Sequence, residues 1–315
     1  MSDIRPLERA DIPAVARLFS LVWRGAPDAA DSELERFFES TLLDHPWADP
    51  ELPSFVATNG DEIVGMIGSN VRRMTFDGRP IRMVCSAHLV AHPRARGRAV
   101  GARLLKTLLA GPQDLTTTDG ATDEMRRLWE AVGGSAVHLG ALSFVRLFKP
   151  ATLGLDLLLD RKGRRVEASP LRLLPGSLDR LAALVARKRL VPSAARATAA
   201  ALSPSFVVEQ ADDVAATARL RAAYDEPYVT WLFDELGRVA ARGTLWRDGI
   251  ARGRLWAESI HRDGLLGWYV CHLRTGGFCR VLQVVARPRA LDDVFAALSS
   301  RARSLGAAAL YGRLE

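Results

Sequence analysis

The sequence is poor in the residues that build disulfide frameworks and metal centres. Its 315 residues include only three cysteines, none in a CxxC pair, which excludes a disulfide scaffold. His261, Cys271, His272 and Cys279 fit no familiar zinc-ligand spacing, so no metal site is predicted. There is also no run of about 18 apolar residues and no charged-then-apolar leader, so we expect no membrane span and a cytoplasmic protein.

Lysine is scarce as well, since only four of the 43 basic residues are lysine. The formal net charge of +7 is carried mainly by arginine in a chain rich in alanine and leucine, which indicates GC-rich coding rather than a phosphate-binding surface. Residues 1–150 hold 18 basic and 19 acidic residues, 151–204 hold 10 and 4, and 205–315 hold 15 and 13. The positive charge is therefore concentrated in the middle segment.

Strand and helix patterns alternate over residues 4–148. The order is β-α-α-β-β-β-α-β-α-β, and turn signals at Asn59-Gly60 and Asp77-Gly78 predict two β-hairpins. Ala136–Phe148 is predicted as the last strand. This pattern favours a mixed α/β (α+β) fold, and the length of 315 residues favours two domains.

The two halves of the chain share a short repeat at an offset of 195 residues. Val90-Ala-His-Pro-Arg-Ala95 matches Val285-Ala-Arg-Pro-Arg-Ala290 at five of six positions, and similar elements surround both copies. We therefore predict a first domain at 1–150, a basic helical connector at 151–204, with an Ala-rich helix over 194–202, and a degenerate copy at 205–315 that is either truncated or incomplete.

The copies differ just after the repeated motif. The first continues Arg96-Gly-Arg-Ala-Val-Gly101 into a helix, whereas the second continues Leu291-Asp-Asp-Val294. Glycines at a helix N-terminus let backbone N–H groups approach an anion, and arginines add positive charge. Two aspartates at that place repel a phosphate, so only the first copy is predicted to hold a pyrophosphate.

At these residues the sequence resembles the GNAT superfamily of acyl-CoA-dependent N-acetyltransferases. The family's loop, Pro-x-x-Arg-Gly-x-Gly-x-Gly/Ala, reads here from Pro93 to Gly101, with Ala99 at a usual glycine. The resemblance implies a mostly antiparallel GNAT sheet flanked by helices in two tandem copies, with acetyl-CoA or another acyl-CoA as co-substrate and no metal. The implied acyl-CoA contacts are Leu89, Val90, Ala91, Arg94, Arg96, Gly97, Arg98, Ala99, Val100 and Gly101.

The resemblance also implies direct attack of an amine on the thioester in a ternary complex, with a backbone N–H among residues 89–91 as oxyanion donor. Among the residues themselves, His88 is the first candidate for the base and Ser86 for a relay, because strand alternation predicts that both share a face with Val90. A histidine on a strand is also commonly a core residue, and that alternative stays open. Asp119 is a weaker candidate that alternatively caps the next helix.

One residue departs from the family pattern. Trp129 stands where the family often has a tyrosine that protonates the leaving thiolate. An indole N–H has no useful acidity, which argues against acid catalysis from this position. The departure favours an alternative reading, a non-catalytic acyl-CoA-binding or partner-binding module.

The leading interpretation is an enzyme, an acyltransferase that transfers groups other than aminoacyl groups to a small-molecule amine. A Fem-type aminoacyl-tRNA-dependent transferase is the second alternative, but residues 161–189 lack the aromatics expected beside basic residues in RNA recognition, which argues against a nucleic-acid partner. That basic segment is either a solvated helix face or a dock for an acidic acyl carrier protein.

The aromatic stretch Tyr224–Phe233 is either a helix packed on a sheet or a wall of the acceptor site. A homodimer is compatible with the sequence.

Overall fold

The computed structural model describes residues 3–25, 31–95, 99–137, 142–151, 154, 197–242, 253–274 and 277–313. Contacts divide these residues into two units. The first unit comprises the described residues within Met1–Ala136 and Ala218–Leu232. The second comprises those within Val137–Thr217, Phe233–Thr244 and Ile250–Glu315.

Secondary structure in the described residues is a mixture of helices and strands. The strands are β1 (Asp3–Pro6), β2 (Phe55–Asn59), β3 (Glu62–Phe76), β4 (Arg79–Ala91), β5 (Leu115–Thr117), β6 (Ser143–Leu147), β7 (Thr198–Ala201), β8 (Leu220–Ala222), β9 (Arg254–His261), β10 (Leu265–Leu273), β11 (Phe278–Ala286) and β12 (Ala309–Arg313). The α-helices are α1 (Ile12–Arg24), α2 (Ser32–Phe38), α3 (Val100–Leu109), α4 (Asp123–Ala131), α5 (Pro204–Val214), α6 (Glu226–Arg242) and α7 (Leu291–Ser304).

The first unit is built on a sheet with the strand order β1-β2-β3-β4-β5, and β8 also pairs with β3. Its pairs are antiparallel except for β4 and β5, which are parallel. Asp77 and Gly78 have φ angles of 48° and 78°, the left-handed conformation that a tight hairpin turn requires. The predicted class, a mixed and mostly antiparallel sheet flanked by helices, is confirmed.

Alternation along β3 and β4 gives this sheet two apolar faces. Met66 and Val90 pair with each other and pack with α1 and α2 in one buried cluster. Val71 and Val84 also pair, and they pack with α3 in a second cluster on the opposite face. We refer to these as the α1 face and the α3 face.

The second unit has a sheet with the order β6-β12-β11-β10-β9-β7. It repeats the register of the first sheet. Met83–Cys85 of β4 pair in parallel with β5, and Phe278–Arg280 of β11, which lie 195 residues later, pair in parallel with β12. Gly65 lies opposite Ala91, and Gly267 lies opposite Ala286. These matching registers agree with the duplication inferred from the sequence.

Two elements differ from the sequence expectations. Thr198–Ala201, expected within an Ala-rich helix, is strand β7 and pairs with β9, because pairing at a sheet edge overrides a weak local helix propensity. Ser143–Leu147, expected as the last strand of the first copy, pairs with β12 in the second sheet. The basic segment 161–189 lies outside the described residues, and the domain boundaries at 150 and 204 stay a prediction.

Candidate active site

Strand β4 of the first unit continues beyond its pairing with strand β5, and we refer to the space beside this unpaired stretch as the candidate cleft. Their parallel pairing ends at Cys85. Along Ser86–Ala91, no strand among the described residues pairs with β4 on the side where β5 lies. The backbone edge of β4 there can form hydrogen bonds with an extended ligand in the way that it would with another strand.

A β-bulge lies in β4 at this point. Gly68 pairs with Ala87 and Met66 pairs with Val90, so His88 and Leu89 together lie opposite the single residue Ile67. His88 has a φ angle of 56°, in the left-handed region that non-glycine residues seldom occupy. Sequence reasoning missed the bulge because it assumed regular alternation.

The bulge moves the following side chains to the other face of the sheet. Ser86 pairs with Ser69 and lies two residues beyond Val84, which puts it on the α3 face. Val90 lies on the α1 face. The prediction that Ser86, His88 and Val90 share a face is therefore wrong, and Ser86 cannot relay a proton to a base on the α1 face.

The imidazole of His88 packs among three phenylalanine rings. Its centroid lies 5.9 Å from that of Phe19, 5.7 Å from that of Phe37 and 5.4 Å from that of Phe38, all near edge-to-face. A Cβ at Gly68 would lie 3.5 Å from the His88 ring, an ordinary contact distance, which places the ring beside this glycine. Burial lowers the pKa of His88 to about 4, although the negative charge of Asp119 opposes the shift.

Asp119 lies beside this histidine, just after β5. The thiol of Cys85 donates a hydrogen bond to its Oδ1, with 2.8 Å between the two atoms. Burial, together with the carboxylate, raises the pKa of Cys85 to about 12, so Cys85 stays a thiol and a donor. The residue that caps α4 is Thr122, whose Oγ1 accepts from the N–H of Met125, so the alternative that Asp119 caps this helix is wrong.

The predicted phosphate loop follows β4 and leads into α3. Pro93–Ala95 form a turn of 3₁₀-helix with Arg94 exposed, and Ala99 has a φ angle of 52° immediately before the helix. A Cβ at Gly101 would meet no atom of the described residues within 4 Å, so none of them covers the first turn of α3 at this position. Arg96, Gly97 and Arg98 lie outside the described residues.

The other predicted acyl-CoA contacts surround the same helix. Leu89 and Ala91 pack with the cluster on the α3 face, and Val100 is buried in it. Val90 is buried on the α1 face, so its backbone rather than its side chain is available to the cleft. Gly65 allows this packing, because a Cβ there would lie 2.7 Å from Cγ1 of Val100.

Comparison with known proteins identifies the family of this unit. A family model described as an acetyltransferase (GNAT) domain matches residues 3–114. The first unit contains a GNAT domain. No protein of curated function matches the sequence.

Solved structures share the fold at low sequence identity. A probable N-acyltransferase from Enterococcus faecalis V583 has 9% identity and a TM-score of 0.54. A GCN5-related N-acetyltransferase from Kribbella flavida has 15% identity and a TM-score of 0.51. The matches cover 99% and 100% of this chain, but only 65% and 64% of theirs. N-myristoyltransferase from Saccharomyces cerevisiae, solved with myristoyl-CoA, has 10% identity and a TM-score of 0.51, with coverage of 99% of this chain and 72% of that enzyme.

The second unit has aspartates at the position where the GNAT domain has its predicted phosphate loop. Asp292 and Asp293 stand in the first turn of α7, and the carboxylate of Asp293 accepts a hydrogen bond from Arg262. Negative charge thus already lies at this helix N-terminus, where it interacts favourably with the helix dipole. A phosphate would be repelled there.

The aromatic stretch Tyr224–Phe233 supplies the GNAT domain with side chains from distant sequence. The indole Nε1 of Trp47 donates to Oδ2 of Asp225 over 2.8 Å, and that of Trp231 donates to Oγ of Ser40 over 3.1 Å. Trp47 and Tyr228 stack with their ring centroids 3.5 Å apart. These contacts could not be predicted from the sequence, because the partners lie far apart along the chain. The density of aromatic residues did single out the stretch.

Neither a metal centre nor a membrane-spanning helix is found among the described residues. They contain no group of three or more histidine, cysteine and carboxylate side chains placed to hold a metal ion. None of their helices is long and apolar enough to cross a membrane.

Proposed function

We propose that the GNAT domain transfers an acetyl or longer acyl group from acyl-CoA to the primary amine of a small molecule or an amino acid. The observation that supports this most strongly is the unpaired edge of β4 along Ser86–Ala91, which contains the bulge and is followed in the chain by the loop that leads into α3. An extended pantetheine arm fits the unpaired backbone edge, and a pyrophosphate fits the helix N-terminus.

In this proposal the loop residues bind the phosphate groups of the acyl-CoA. The first N–H groups of a helix have no partner within the helix, so those of Val100 and Gly101 can donate to an anion. Arg94 adds positive charge from an exposed position. Arg96, Gly97 and Arg98 complete this binding loop in our proposal.

In this proposal the bulge at His88 and Leu89 lies beside the thioester of the acyl-CoA. The amine nitrogen attacks the thioester carbonyl carbon, the C–S bond breaks, and the thiolate leaves with its electron pair. The carbonyl oxygen gains negative charge during the attack, and the backbone N–H of Leu89 at the bulge is the donor that we propose for it. Trp129 cannot protonate the thiolate. The thiolate therefore leaves as the anion or takes a proton from water.

The proton released by the attacking amine goes to His88. A pKa near 4 keeps this imidazole neutral at physiological pH, in the form that accepts a proton, and makes it a weak base that gives the proton up again to water. The carboxylate of Asp119 then stabilises the imidazolium that forms. Ser86 has no part in this step, since it lies on the α3 face.

Thermal unfolding with and without acetyl-CoA tests the binding site. Ligand at about 100 times its Kd should stabilise the wild type by about 2.7 kcal/mol. Gly101→Glu places a carboxylate at a helix N-terminus with open space around it, so the fold should be kept while pyrophosphate binding is lost. Gly237→Glu, also in open space on a helix, is the matched control and should respond like the wild type. No stabilisation of the wild type by any acyl-CoA would overturn the proposal.

A further inference from the structure

The half-buried Arg72, in the middle of β3, has no charged partner among the residues that the structure describes. Among the described residues, no hydrogen bond or ion pair involves the Arg72 guanidinium. Its Cζ lies 5.6 Å from the ring centroid of Tyr228. The adjacent Arg73, by contrast, is exposed and pairs with Asp225 at 3.4 Å. A partly desolvated cation without a counter-charge is costly to the fold, so a role in binding is the natural explanation.

Two buried polar side chains lie close to Arg72. His45 is 4% exposed and Tyr228 is 1% exposed. Within the described part of the chain, neither ring nitrogen of His45 nor the hydroxyl of Tyr228 has a hydrogen-bond partner. The positive charge of Arg72 adds to burial in lowering the pKa of His45, which places the two groups near each other. Native proteins leave few buried polar atoms unpaired, so this cluster points to a ligand group.

The position of the cluster connects it with the proposed reaction centre. Gly68 and Arg72 lie on the same face of β3, because four residues separate them in a regular strand. Gly68 lies beside the ring of His88. At about 3.3 Å per residue, roughly 13 Å of strand joins the histidine to the arginine. All these residues belong to the first unit.

We propose that Arg72, with Tyr228 and His45, binds a carboxylate of the acceptor, so that the acceptor is an amine with a carboxylate several bonds from its nitrogen. A guanidinium, a hydroxyl and a neutral imidazole each offer an N–H or O–H donor, whereas a carboxylate only accepts. One cation matches one anionic group. This inference rests on the proposed function, since it identifies the acceptor class for the same site.

Acceptor kinetics test the carboxylate site. Initial rates with acetyl-CoA are compared for aminohexanoate and aminooctanoate against hexylamine and octylamine. We expect kcat/KM to favour the amino acids by tenfold or more, and Arg72→Gln to abolish this preference by raising KM for the amino acids. Tyr228→Phe, which removes only the hydroxyl, should reduce the preference severalfold. Arg73→Gln is the matched control and should keep it.

Direct binding separates the failure of this site from the failure of the enzyme assignment. Calorimetry with aminohexanoate in the presence of CoA should show binding to the wild type and to Arg73→Gln, and none to Arg72→Gln. Binding through Arg72 without turnover of any amine would support the site and contradict the proposed function. Turnover with equal kcat/KM for amino acids and plain amines, or binding that survives Arg72→Gln, would overturn the inference.

Discussion

The indole ring of Trp47 lies flat on the ring of Tyr228, with centroids 3.5 Å apart and planes 4° from parallel. The two residues come from opposite halves of the chain. Further bonds tie the same segments together, because Asp225 accepts from Trp47 and β8 pairs with β3. Residues 218–232 therefore belong structurally to the GNAT domain, although the sequence match of the family ends at residue 114.

Replacing Trp47 with alanine should destabilise the GNAT domain strongly. The side chain is 1% exposed, and removal of a buried aromatic ring costs about 3–5 kcal/mol. Trp23→Ala is the control, since Trp23 is 42% exposed and should cost much less. Urea denaturation measures both changes. Equal effects of the two substitutions would show that the stack contributes little.

Gly65→Ala should disturb the helix that begins at the phosphate loop. The new methyl group would lie 2.7 Å from Cγ1 of Val100 and 3.0 Å from Cδ1 of Leu104, so α3 must shift or the two side chains must repack. We expect a loss of about 1–3 kcal/mol in stability and weaker binding of acetyl-CoA. Gly237→Ala in open space on a helix should be neutral or stabilising. Unchanged stability and affinity in Gly65→Ala would contradict the described packing.

Ala99→Gly should stabilise the protein modestly. Ala99 has a φ angle of 52°, and this conformation costs a residue with a Cβ about 1 kcal/mol that glycine avoids. Ala99→Val should have the opposite effect, because a β-branched side chain tolerates the left-handed region even less. Thermal unfolding of the two variants provides the test. A gain in stability with valine would mean that residue 99 is not left-handed.

The free energy of unfolding should decrease as the pH is lowered, because of the buried histidines. Burial lowers the pKa of His45 from 6.5 to about 4. Between these values the unfolded chain binds more protons than the folded protein, so the free energy of unfolding is greatest above about pH 6.5 and decreases towards pH 4. The contribution of His45 is on the order of 3 kcal/mol. Denaturation curves at several pH values should show a shallower decline for His45→Gln; an identical decline would rule out His45 as a source.

Local patterns in the sequence predicted much of the GNAT domain. The order of the elements along the chain from β1 to α4 and the Asp77-Gly78 turn follow from nearby residues. The bulge at His88 did not, because a strand pattern carries no sign of an extra residue that its partner strand imposes. The Cys85–Asp119 hydrogen bond and the Trp47–Tyr228 stack were also missed, since each depends on segments that meet only in the folded chain.

Amine-dependent release of CoA is the most direct test of the central claim. Free thiol is measured after mixing the protein with acetyl-CoA and a panel of primary amines. We predict release that requires the amine, that is lost in Gly101→Glu, and that falls by about 10²–10⁴ in His88→Asn, a substitution that tolerates the left-handed backbone. Binding of acetyl-CoA with no amine-dependent release from the wild type would contradict the account and identify a non-catalytic acyl-CoA-binding domain.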